Sequence, residues 1–146
     1  MAFIWEQLGP DIDGVNTSDY DGWRICLSDS GTTIAISSTQ NTDGLTTGIA
    51  GGRVRIFDDQ GGTWVQRGVS LYGTTNYARF GGALSLSSDG NFVAITQWNL
   101  GQNFGVTYVY EWTGSAWAVI GNPINHAAQT SSSPIKLARI PASGAN

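Results

Sequence analysis

Cysteine, histidine and lysine occur once each in this chain, as Cys26, His126 and Lys136. A lone cysteine excludes an internal disulfide and any cysteine cage for a metal. A lone histidine leaves no two-histidine metal site and no second imidazole for catalysis within one chain. Charge is sparse too: 7 basic against 11 acidic residues give a net charge of −4, and the arginines are scattered from Arg24 to Arg139. With no basic stripe to neutralise a phosphate backbone, nucleic acid is not an expected partner. No apolar run approaches the roughly 20 residues of a membrane span. Met1 to Glu6 lacks the basic region and apolar run of a signal peptide. The chain therefore reads as soluble, with no membrane span and no cofactor.

What is present points to strands. Twenty Gly, six Trp, five Tyr and five Phe, with abundant Ser and Thr, suit short pleated segments joined by tight turns. At 146 residues one domain is expected, of the all-β class.

Within it lies a repeat. Shifting the sequence by 59 positions sets Trp5-Glu6-Gln7-Leu8-Gly9 on Trp64-Val65-Gln66-Arg67-Gly68 and runs ungapped for about 34 residues. Gly14 meets Gly73, Gly22 meets Gly81, Leu27 to Gly31 meets Leu86 to Gly90, and Ile34-Ala35-Ile36 meets Val93-Ala94-Ile95. A shift of 53 then sets Gly52 to Phe57 on Gly105 to Tyr110, and Trp64 on Trp117. The six-residue difference falls between the two blocks, in a loop longer in the first copy.

Each copy parses into four strands: Arg24 to Ser28, Thr33 to Ser37, Arg53 to Phe57 and Thr63 to Arg67, then Ala83 to Ser87, Phe92 to Thr96, Val106 to Tyr110 and Ala116 to Ile120. Four strands per unit of this length is the arithmetic of a propeller blade. Ile25, Leu27, Ile34 and Ile36 are large on one face and Cys26 and Ala35 small on the other. Leu84, Leu86, Val93 and Ile95 repeat the pattern against Ser85 and Ala94. Stacked sheets need such alternation, large side chains against a neighbour's small ones. Asp29-Ser30-Gly31 and Ser88-Asp89-Gly90 supply hairpin turns with positive φ. The expected division is a single β-repeat domain over 1–146: a partial blade 1–22, blades 23–68 and 82–121, and a partial blade 122–146.

Trp-x-Gln-Leu-Gly-x-Asp-Ile-Asp-Gly (Trp5 to Gly14), the Leu-Ser-x-Ser/Asp-Gly turn, Ile-Ala-Ile, and Gly-x-Val-Arg-Ile-Phe (Gly52 to Phe57) resemble propeller-type repeats of surface proteins from marine bacteria, algae and their viruses. The resemblance covers most of residues 5 to 121 and implies tandem blades and a virion or extracellular surface setting; it implies no shared activity. Asp59-x-Gly61-x-Thr63-Trp64 also resembles the Asp-box hairpin of sialidases and other propellers, with Phe57 where that motif has Ser or Thr. There the box is structural.

Candidate sites are few. Asp11-Ile12-Asp13-Gly14 and Asn41-Thr42-Asp43-Gly44 carry the carboxylates and bent backbone of a cation loop, but Ser70-Leu71-Tyr72-Gly73, the counterpart of the first, has no carboxylate. Turn chemistry is the reading adopted, and no metal site is expected. His126 reads as a loop residue, and the pairs Asp19 with Asp21 and Asp58 with Asp59 as solvated turn residues. Trp5, Trp64 and Trp117 repeat in register and are expected in the core. Trp23, Trp98 and Trp112 do not repeat, since they meet Gly82, Thr39 and Asp59. They are the candidate ligand-binding residues, as a sugar-stacking platform or a protein contact.

The reading that follows is a non-catalytic structural or assembly module of a virion or cell surface, acting through contacts with other protein subunits. A lectin-like module that binds glycans is the alternative, and a glycosidase a remote one. Two whole units with fragments at each end do not close a ring of about 4–8 blades, so assembly with other chains is expected.

Overall fold

Aliphatic and β-branched runs punctuated by Gly-containing turns give nine strands among the described residues: β1 (Asp21–Leu27), β2 (Thr33–Ser38), β3 (Arg53–Asp59), β4 (Trp64–Gln66), β5 (Leu71–Tyr72), β6 (Ala83–Leu86), β7 (Phe92–Trp98), β8 (Gly105–Trp112) and β9 (Trp117–Asn125). They come from a computed structural model that describes residue 4 and residues 6–43, 50–98 and 105–126. Trp5, Gly44 and all but residues 122–126 of the partial blade expected over 122–146 lie outside the described residues.

The protein is all-β, built from two antiparallel meanders in the orders β1-β2-β3-β4 and β6-β7-β8-β9, with β5 added beside β3. Their registers repeat pair for pair at the two offsets read from the sequence. Leu27 pairs with Ile34 and Leu86 with Val93; Thr33 pairs with Asp58 and Phe92 with Glu111; Asp59 pairs with Trp64 and Trp112 with Trp117. The correspondence extends past the strands expected from sequence. Arg53↔Tyr72 and Val54↔Leu71 are matched by Val106↔Asn125 and Thr107↔Ile124. In the second sheet β9 runs unbroken through the positions that β4 and β5 share in the first.

The hairpins repeat as well. Thr33 N–H donates to Ser28 Oγ at 3.0 Å and Phe92 N–H to Ser87 Oγ at 2.9 Å. In both turns glycine takes the left-handed conformation, Gly31 at φ 73° and Gly90 at φ 72°, where a side chain would be strained. At Gly90 it would also collide, because a Cβ there would lie 2.6 Å from Thr33 Oγ1.

Packing explains the alternation of large and small side chains. Strand pairing puts Leu84, Leu86, Val93, Ile95, Tyr108, Tyr110, Trp112 and Trp117 on one face of the second sheet. That face meets the first sheet's Cys26, Ala35, Val54 and Ile56, with Leu71 and Phe80 closing one core. Among the described residues the two sheets do not close a ring. The equivalent large face of the first sheet points the other way: Ile36 and Phe57 are still buried there, but on β1 Ile25 and Leu27 are 58% and 54% exposed while Leu86 is 6% exposed.

The same asymmetry corrects the expectation for the repeated tryptophans. Trp117 is buried, but Trp64, its counterpart on the outward face, is only half-buried. Both indoles make the same bond, Trp64 Nε1–H to Leu8 O at 3.0 Å and Trp117 Nε1–H to Arg67 O at 2.9 Å, and Leu8 and Arg67 are themselves repeat partners. Urea denaturation should therefore show Trp117→Ala losing about 3–5 kcal/mol, the usual range for a core aromatic, and Trp64→Ala losing clearly less. Equal losses would contradict the assignment of the two faces.

Candidate functional site

Five charged groups converge where β1 begins and β3 begins. Arg53, 2% exposed, reaches Asp43 at 3.1 Å, Asp21 at 3.2 Å and Asp19 at 3.5 Å. Arg55 reaches Asp21 at 3.1 Å and donates to Asp13 O at 2.9 Å. Asn41 donates to Asp19 at 2.7 Å, Asn16 joins Asp19 to Asp43, and Ser38 Oγ–H donates to Asp21.

Burial alone raises the pKa of Asp21, but the Ser38 hydroxyl, the Val15 N–H and the Arg55 and Arg53 guanidiniums outweigh it and hold the carboxyl below its ordinary value. Asp19 and Asp21 are thus not solvated turn residues: Asp19 is buried, and both are bonded within the cluster. With its carboxylates facing two guanidiniums, the arrangement tethers the segment before β1 to the sheet.

The signal for this cluster was in the repeat. Asp19, Asp21, Arg53 and Arg55 fall opposite Ala78, Phe80, Val106 and Tyr108. In the second copy the same space holds an apolar group, with Phe80 1% exposed and its ring 6.3 Å from Tyr108 and 6.4 Å from Tyr110. Four charges replacing four uncharged residues at matched positions mark a local change of chemistry, legible once the copies are compared position by position.

The three non-repeated tryptophans separate into two groups. Trp112 is half-buried between the sheets, its ring 5.4 Å from Trp117 and with the Arg67 guanidinium 4.9 Å from its centre. A Cβ at Gly68 would sit 2.8 Å from it. Trp23 and Trp98 are instead 45% and 47% exposed. Trp98 lies against Gly82, whose Cβ would be 3.2 Å from its ring, and Gly82 is the repeat partner of Trp23. Two strands thus deliver one indole per sheet to equivalent places. Each carries a guanidinium, Arg24 at 5.6 Å from the Trp23 ring and Arg79 at 5.9 Å from that of Trp98.

The remaining candidates are engaged locally. Asp11 accepts from Gln7 Nε2 at 2.8 Å, Asp59 from Gly62 N–H at 2.7 Å, and Asp58 from Thr33 Oγ1 at 2.8 Å. His126 Nε2 is 2.8 Å from Thr107 Oγ1. Burial pushes the Cys26 thiol up to about 11, despite N–H bonds from Ala35 and Leu86, so it carries little thiolate at neutral pH. Among the described residues no group of three or more His, Cys, Asp or Glu is placed to hold a metal ion.

Asp21→Asn removes the charge facing Arg55 in a part-buried pair, so the loss should fall between that of an exposed pair, at most about 1 kcal/mol, and the roughly 3–5 kcal/mol of a fully buried one. A depressed carboxyl stabilises the fold above its unfolded pKa and loses that contribution as pH falls through the folded one. Denaturation at pH 7 should show the loss, and the gap to the unsubstituted protein should narrow below about pH 4. Equal stabilities at pH 7 would show the cluster to be energetically idle.

Comparison of the chain with protein-family models, with curated proteins and with solved structures found no match in any of the three, so the functional reading rests on the residues and geometry above.

Proposed function

We propose that the chain is a non-catalytic structural or assembly module, made of tandem propeller-type blades, that works through contacts with other protein subunits. One observation carries the reading. The face that the second sheet buries as its core, with Leu86 and Trp117 at 6% and 8% exposure, is left open along β1 of the first sheet, at Ile25 and Leu27, although Ile36 and Phe57 on the same face are buried. The equivalent surface inside the molecule is covered by another sheet, and exposed apolar faces of this kind mark contact sites. Each sheet is a four-stranded antiparallel meander with the other's register, which supports the blade description. The resemblance of the Trp5 to Gly14 and Gly52 to Phe57 motifs suggests the surface of a virion or a cell as the setting.

The carboxylates that would serve a glycosidase are held in ion pairs and turns. Asp21 is bound by two arginines, and Asp58 is paired with Arg67 at 3.4 Å.

Light scattering on the purified chain tests the reading. At micromolar concentration the protein should self-associate or require a partner to stay dispersed, and Leu27→Asp, on an exposed position, should restore a monomer without loss of structure. A chain that is already a stable, cooperatively folding monomer, and is unchanged by Leu27→Asp, contradicts it.

A further inference from the structure

We propose that the end of the stack where β1 begins and β7 ends is a binding site for an acidic glycan, formed by two matched stations: Tyr20, Trp23 and Arg24 on the first sheet, and Tyr77, Arg79 and Trp98 on the second. The first station adjoins Ile25 and Leu27 along β1, so the test reads glycan binding itself rather than the state of association.

The two stations are alike in space although not in alignment. Trp98 fills the position over Gly82 that Trp23 takes by its own place in β1, and each ring carries an arginine within 6 Å. Tyr20 meets Trp23 edge to face at 6.5 Å.

The backbone beneath them is strained at matched positions. Ser18 and Tyr77 lie at φ 73° and 59°, and Tyr20 and Arg79 at φ 57° and 44°. This left-handed region suits glycine or asparagine and costs a bulky side chain energy. Packing does not explain that cost, because Tyr20 is 60% and Tyr77 44% exposed. Both tyrosines are held out of the core on backbone that would relax if they were glycine, and recognition accounts for their presence.

The chemistry of the groups names the ligand class. An indole half open to solvent offers a flat apolar face to the C–H face of a pyranose. A guanidinium beside it supplies paired N–H donors to a carboxylate or sulfate. Two stations, one per sheet, suit an oligomer better than a single sugar. Trp112 is no part of the site, since its ring is taken by Trp117 and Arg67.

The test is binding of the whole chain to immobilised oligouronates, sulfated galactose oligomers and uncharged glucose oligomers. Saturable binding to one or both acidic sets is expected, with the two arms showing which anion is read, and added salt should weaken it. Trp23→Ala or Trp98→Ala should each reduce affinity by about tenfold or more. Arg79→Gln, which leaves both rings in place, should shift the preference away from the acidic sets. Tyr77→Gly should weaken binding while thermal stability holds or rises, an outcome that a packing role for Tyr77 would reverse. The proposal is overturned if no set binds, if the uncharged oligomers bind as well as the acidic ones, or if the double variant Trp23→Ala/Trp98→Ala binds like the unsubstituted protein.

Discussion

The structure depends on one contact: the large-residue face of the second sheet seated on the small-residue face of the first. Leu86, Val93 and Ile95 occupy space left by Cys26 and Ala35, and on the far face of the first sheet the segment before β1 bonds to Arg55 and Trp64, with Ile36 and Phe57 buried there. A sheet whose large apolar face stays in water forgoes the burial that favours folding. Stacking removes that face from solvent without helices or disulfides. It also fixes the register of every strand, because a slip of one residue would turn large side chains toward the wrong neighbour. The bond from Trp117 to Arg67 O, and the reach of Arg67 to Gly90 O at 3.0 Å and to Asn91 Oδ1 at 2.6 Å, tie the end of one unit to the turn of the next.

On this shared frame the copies solve one local problem in opposite ways. The second holds the segment before its first strand with Phe80 against Tyr108 and Tyr110, and the first holds it with Asp19 and Asp21 against Arg53 and Arg55. Apolar packing of similar volume is often as stable as a buried ion network or more so, so stability alone does not account for the charged version. It does give the first copy directional bonds at the edge of the face that remains open. The two exposed indoles, Trp23 and Trp98, stand where the repeat is broken, while matched positions carry the fold.

Most of the fold was legible in the sequence because a repeat with two offsets predicts pairings as well as strands. The eight strands expected of the two whole units formed, and β5 and the extension of β9 to Asn125 were missed because two-residue pairings such as Leu71-Tyr72 carry no periodicity to detect. Less of the site could be read. Asp19 and Asp21 sit in a segment with the composition of a solvated turn, and only the fold brings Arg53 and Arg55 to them across more than thirty positions of sequence. Trp23 and Trp98 looked unrelated because alignment compares places along the chain, whereas Trp98 reaches the Trp23 position from a different strand. Trp64 was misjudged for a third reason: burial belongs to the layer that covers a residue, and an identical residue at an identical register is core in one sheet and half-exposed in the other.

If stacking rather than either sheet alone holds the molecule together, both sheets must open in a single event. Native-state hydrogen exchange reads this directly at the buried central residues Ala35 and Ile36 of β2 and Ala94 and Ile95 of β7. The same opening free energy at all four amides, equal to that of global unfolding, is the predicted result. One sheet exchanging through a separate opening of much lower free energy, while the other stays protected, would contradict it.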